Sequence, residues 1–166
     1  KNLRSDYKKT NRVTLLAFEF LILTATRTKD TRYAKWDEIS WKDKTWSVPD
    51  SRHKSGKVFR LPLASRQIEI LKEAQKLSEG SPYVFINPDT RKPYSENAFI
   101  DQVKSMEKRN LLDIHISPHG FRSSCRTWAE ERTNFPFAVK EKFLSHVETN
   151  KVVAAYKQTD HLEKRR

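Results

Sequence analysis

The stretch TNRVTLLAFEFLILTAT, residues 10–26, is the most apolar run in a chain otherwise dense with charge, and the rest of the molecule has to cover it. Leu16, Phe20 and Leu23 recur at helical spacing, and Thr10 or Asn11 stands where an N-cap is needed, so the run reads as a buried helix. Apolar residues are never continuous for the roughly 18 positions a membrane span needs, and no cleavable signal is visible. With 166 residues, 36% of them hydrophobic, the chain has enough material for one domain with a real core.

Beyond this helix the period changes. A helical turn is expected over 30–35. From Trp36 onward, Ile39 and Trp41, Trp46 and Val48, and then Phe59, Leu61 and Leu63 alternate with polar neighbours. Three short strands joined by tight turns imply a small antiparallel sheet, with Lys54 at the tip of the second hairpin. Helix returns over 65–77, where Ser65 can cap and Ile70, Ala74 and Leu77 form the stripe. The segment YVFINPDTRKPY is irregular, and Ser95 can cap a helix carrying Phe99, Val103 and Met106. Ser117 caps the next one, with Pro118 at its first position. There Phe121, Cys125 and Trp128 share one face, and His119, Arg122 and Arg126 share another. Further helices are expected over 136–144 and 150–157, with a break near His146. The fold class is α+β and mainly helical, with helices around a small three-stranded antiparallel sheet in a single domain, 1–166.

Charge narrows the function. Lys and Arg total 33 against 21 acidic residues, a formal net charge of +12. Such a field favours polyanions, nucleic acid first and an acidic membrane surface second. Only three Gly occur, which excludes a Gly-rich nucleotide loop. Cys125 is alone and has no internal disulfide partner, which suits a reducing compartment. No convincing carboxylate cluster for magnesium is present.

Several side chains suit phosphoryl chemistry. Arginine donates two parallel hydrogen bonds to phosphate and stays charged, so Arg27 and Arg122 are candidates to stabilise charge building on non-bridging oxygens. His119 can bond a phosphate oxygen or accept a proton. Lys54 can protonate a leaving oxygen. Tyr156 can attack phosphorus as a phenolate where cations favour that form. Taken singly, each has an ordinary structural reading, and His146 by itself carries no information.

Taken in order, Arg27, Lys54, His119–Arg122, His146 and Tyr156 resemble the active-site signature of the tyrosine recombinases, the phage-type integrases. TATRTKDTRYAKWDEI is similar to the box of the first arginine, HKSGKVFRLPL to the lysine hairpin and PHGFRSSCRTWA to the His-x-x-Arg box. LSHVETNKVVAAYKQTDHLEKRR is similar to the C-terminal box. The wording lies closest to integrases of prophages and genomic islands. Asp30 stands where glutamate is commoner, Ala25 and Ser145 stand where glycine often does, and Lys57 shares the loop of Lys54.

The resemblance implies a catalytic domain excised from a longer protein, without the DNA-binding domains that commonly precede it. It implies site-specific DNA recombination through a 3′-phosphotyrosine formed by Tyr156. Arg27 and Arg122 would clamp the phosphate, His119 and His146 assist, and Lys54 act as the acid. Neither metal nor cofactor is expected. The implied partners are double-stranded DNA, three further copies forming a homo-tetramer on two duplexes, and accessory DNA-bending proteins. No membrane is involved, and the setting is the bacterial cytoplasm. A type IB topoisomerase shares the same chemistry. A basic DNA-binding module without catalysis and a metal-independent nuclease are the alternatives from other classes.

Overall fold

The computed structural model describes residues 12–112, 115–144 and 161–165. Helix α1, Arg12–Thr24, is buried on nearly every side, with Val13, Leu15, Leu16, Ala17, Phe18, Phe20 and Leu21 all in the core. An all-round apolar helix has to be enclosed by other elements, and here those are a helix and a sheet. Leu23 departs from the expected stripe at 40% exposed, because it sits on the last turn where cover runs out. The candidate caps Thr10 and Asn11 lie outside the described residues.

The turn after α1 is tied by a run of threonine hydroxyls. Thr24 Oγ1 donates to the Phe20 carbonyl at 2.7 Å, contacts Thr26 Oγ1 at 2.9 Å, and Thr26 in turn meets Thr31 at 2.9 Å. This lock delivers the chain into α2, Thr28–Arg32.

Strands β1 (Ile39–Ser40), β2 (Thr45–Val48) and β3 (Phe59–Pro62) form an antiparallel sheet in the order β1-β2-β3. Trp46 pairs with Ile39 on one side and Leu61 on the other. All three side chains point into the core, as alternation requires. The first strand stops short of Trp41, which lies in the turn and stacks on Trp36 at 6.4 Å.

Helix α3, Ser65–Leu77, packs Gln67, Ile70, Leu71 and Ala74 inward. Ser65 is its first helical residue rather than its cap. Gln67 Oε1 reaches back to accept the Ala64 N–H at 2.5 Å, which satisfies one of the orphan donors of the first turn. The same Gln67 donates from Nε2 to the Leu23 carbonyl at 2.9 Å, and Arg66 holds Glu19 through two bonds of 2.8 Å, fastening α3 to α1. The segment 83–94 has no regular element, yet Val84, Phe85, Ile86 and Tyr94 are all buried.

Helix α4, Ala98–Lys108, buries Phe99, Val103 and Met106 as expected. Helices α5, Gly120–Arg132, and α6, Phe137–Phe143, complete the described molecule with a short 3-10 turn at Glu163–Arg165. The helices thus surround a three-stranded sheet. The expected helix over 150–157 lies outside the described residues.

Candidate active site

Arg27 occupies the N-cap of α2 in extended backbone. Its side chain faces His53 across the β2–β3 turn, with Nη1 3.2 Å from the imidazole Nε2. Three positions on, Asp30 is 2% exposed, and the Arg27 backbone N–H bonds its carboxylate. That is the reach-back of an acidic N3 residue to the N-cap, so an acid three residues after this arginine has a backbone reason to be there. Burial raises the Asp30 carboxyl above its ordinary value, against the opposing charges of Arg27, Arg52 and Arg122.

Arg122 comes from the first turn of α5 and is 6% exposed. Its Nη1 donates to the carbonyl of Ala25, 97 positions earlier, and its Nη2 to that of Leu144 at 2.6 Å. One guanidinium therefore joins the end of α1, the start of α5 and the end of α6. Burial, followed by the charge of Arg27, pushes its pKa down to about 10, and Asp30 opposes the shift. It remains a cation at neutral pH. Ala25 itself has φ +48°, the left-handed region where glycine is the usual residue.

Ser117 Oγ accepts the Gly120 N–H at 3.0 Å, but α5 begins at Gly120 with His119 as its N-cap, so Pro118 lies in the turn before the helix rather than at its first position. His119 follows at the helix entry, exposed, and its carbonyl accepts the Arg122 N–H at 3.0 Å. Lys54 is exposed on the turn between β2 and β3, directly after the buried His53. The fold therefore brings Arg27 and Arg122 into one charge cluster with the buried Asp30, while Lys54, one residue after His53, and His119, at the entry of α5, are exposed. His146 and Tyr156 lie outside the described residues.

Arg126 does not join this group, although it shares a helix face with Arg122. It bonds Glu141 at 2.7 Å, pairs with Glu130 and lies 5.3 Å over the Phe137 ring, which makes it a clamp between α5 and α6. Trp128 is 58% exposed, because the apolar face of α5 outruns the core that Phe121 packs on.

Two members of the cluster went unread in the sequence. Arg52 donates to both carboxylate oxygens of Glu38, at 2.5 and 2.6 Å, and to the Tyr33 carbonyl at 2.7 Å. His53 is 4% exposed and stacks on Phe59 with ring centroids 5.1 Å apart. The one sequence hint was their place directly before Lys54.

Residues 2–163 match the sequence profile of the phage integrase family. Among relatives, the prophage integrase IntA of Escherichia coli (strain K12) is 34% identical over 149 residues, covering 90% of this chain and 35% of that protein. The chain thus spans about a third of the length of the curated relative. Among solved structures, the lambda integrase catalytic core superposes with a TM-score of 0.66 at 19% identity, over 87% of this chain and 89% of that one. A lambda integrase tetramer bound to a Holliday junction gives 0.66 at 19%, over 95% of this chain and 45% of that chain. At such identity these structures speak for the fold.

Proposed function

The chain belongs to the phage integrase family, and on that premise we propose that it catalyses site-specific DNA recombination, cutting and rejoining strands through a 3′-phosphotyrosine. The observation that carries this reading is the convergence of Arg27 and Arg122, from elements far apart in sequence, on one cluster around the buried Asp30. Placing two like charges together is costly, and such perturbed groups concentrate at functional sites, where two cations can serve an anion.

In the proposed reaction the Tyr156 oxygen attacks the scissile phosphorus, and the bond to the 5′ oxygen breaks. Arg27 and Arg122 hold the non-bridging oxygens as negative charge grows on them. His119 and His146 assist in this, and His119 takes the tyrosine proton. Lys54 gives its proton to the departing 5′ oxygen, with Lys57 on the same turn as the alternative acid. A 5′-hydroxyl of a partner duplex then attacks the phosphotyrosine and releases Tyr156, so the phosphodiester count is conserved. The charge on phosphate is met by guanidinium groups, so the reaction is expected to persist in EDTA.

Residues 1–166 are read as the catalytic domain, acting as a homo-tetramer on two duplexes of double-stranded DNA in the bacterial cytoplasm, with accessory DNA-bending proteins as further partners. The prophage relative and the Holliday-junction tetramer support this arrangement by kinship. The test is covalent trapping. The chain is incubated with duplex nicked just beyond candidate scissile phosphates, quenched in detergent and run on a denaturing gel beside Tyr156→Phe. A protein–DNA band that vanishes in the variant is expected. A band that survives it refutes the nucleophile.

A further inference from the structure

We propose that His53 is a positioning residue whose neutral imidazole links the Arg27 guanidinium to the turn bearing Lys54, fixing the clamp and the proton donor relative to one another. The proposal rests on the recombinase reading above, and deepens it.

The hydrogen-bond directions leave little freedom. A guanidinium has donors and no acceptor, so at 3.2 Å Arg27 Nη1 donates and His53 Nε2 receives. Nε2 therefore carries a lone pair, and the ring proton sits on Nδ1. From there it is donated to Ser55 Oγ at 2.8 Å, and the Ser55 hydroxyl points on to the Lys57 carbonyl at 3.5 Å. The relay thus runs from Arg27 through His53 and Ser55 to the backbone of the turn, and the Ser55 N–H, 3.4 Å from Nδ1, is the longer, opposing contact that the 2.8 Å bond to Oγ outcompetes. Phe59 stacked on the imidazole holds its plane.

Charged neighbours enforce the neutral form. Arg27 faces the ring from the start of α2, Arg122 from α5 and Arg52 from the same turn, while Arg165 lies 5.6 Å from the centroid of the Phe59 ring. Burial first, and then the charges of Arg27, Arg122 and Arg52, push the His53 pKa down to about 4. The imidazole is thus an acceptor for Arg27 throughout the neutral range. The turn is pinned twice over, since Arg52 next door holds Glu38 and the Tyr33 carbonyl. Lys54, an exposed residue on a flexible stem, follows these two anchored neighbours in the chain.

The test compares His53→Leu, which removes the acceptor, with His53→Gln, which keeps one facing Arg27. Three quantities are read: the single-turnover rate of adduct formation on nicked duplex, DNA affinity, and the melting temperature. His53→Leu should slow cleavage roughly 10- to 100-fold, the effect of losing a hydrogen bond to a charged group, with DNA affinity unchanged. His53→Gln should recover most of the rate at a melting temperature matching that of the Leu variant. A rate unchanged in His53→Leu, or no recovery in His53→Gln, makes His53 a packing residue and overturns the proposal. Long-range proton–nitrogen NMR of the wild-type chain supplies a readout that needs no activity. Protonated Nδ1 and bare Nε2 are expected, and the opposite tautomer overturns the link even if neither variant folds. Absence of any Tyr156-dependent adduct from the wild type would instead sink the recombinase reading, and the tautomer would still decide the His53–Arg27 link.

Discussion

Arg122 is both a proposed phosphate ligand and a structural bolt, and the two roles share one side chain. Its fork satisfies two backbone carbonyls on different elements, which a lysine ammonium on a single stem cannot span. Arg122→Lys should therefore leave one buried carbonyl unpaired, costing about 1–3 kcal/mol, and lower adduct formation by roughly a hundredfold or more. Thermal denaturation and the trapping gel check the two parts separately, and full adduct yield would remove Arg122 from the clamp. His53 makes a second residue-scale prediction. Its folded pKa of about 4 lies below the ordinary value of 6.5, so the folded protein favours the neutral ring. The unfolded chain binds the extra proton first as pH falls, and this contribution to stability is full above 6.5 and lost between 6.5 and about 4. The loss approaches about 3 kcal/mol. Denaturant melts of the wild type and His53→Gln across that window should show their stability difference shrinking toward acid. A constant difference would mean that the ring titrates normally.

The β2–β3 hairpin is the element on which the site depends most, and its turn is held by charge more than by sheet bonding. Glu38, just before β1, takes both arms of Arg52 and also accepts the Trp46 indole N–H at 3.0 Å. Both side chains are nearly enclosed, so removing the carboxylate charge leaves Arg52 poorly compensated. Glu38→Gln is expected to cost about 3 kcal/mol, toward the low end for breaking a buried pair, and to slow cleavage through the displaced turn. Melting curves and adduct kinetics would show both effects, and an unchanged melting temperature would mean the pair is worth no more than a surface contact. This element also shows what a sequence can reveal. The alternation of Trp46, Val48 and Leu61 announced the strands because a half-buried sheet leaves a period of two in the chain. The longer helices among the described residues were legible for the matching reason, although Ser65 opens α3 instead of capping it and the short turn expected over 30–35 forms at Thr28–Arg32, set by the N-cap at Arg27. The pair Arg52–Glu38 was not, because it joins positions 14 residues apart through a loop whose path no periodicity records. Nor was the seating of Arg126 on Glu141, since helical spacing tells which side chains share a face and not what lies opposite. Of the site, the order of the boxes was readable, whereas His53 needed the folded turn to bring it against Arg27.

At the scale of the whole molecule, the charge of +12 is what remains after 33 basic and 21 acidic side chains cancel. The pairs that Arg12, Arg52, Arg66 and Arg126 make with acids are balanced within that figure, and Arg122 keeps its charge while giving two of its five donors to backbone carbonyls. Affinity for a duplex comes from cations that displace condensed counterions, with the logarithm of the binding constant falling by about 0.9 per contact for each tenfold rise in salt. If about half the net charge reaches phosphates, the slope is near −5, and binding weakens roughly a thousandfold between 50 and 200 mM salt. Titrations of a labelled duplex at several salt concentrations measure this directly. Arg27→Ala and Lys54→Ala should each make the slope shallower by about one contact, because each removes a cation from the phosphate path. Tyr156→Phe should leave the slope as it is while abolishing the adduct, since the phenol carries no counterion to release. The two assays thus separate the field that gathers DNA from the side chains that act on it. A slope near −1 in the wild type would mean that the surplus charge faces away from DNA, and the assignment of this basic surface to a duplex would fall with it.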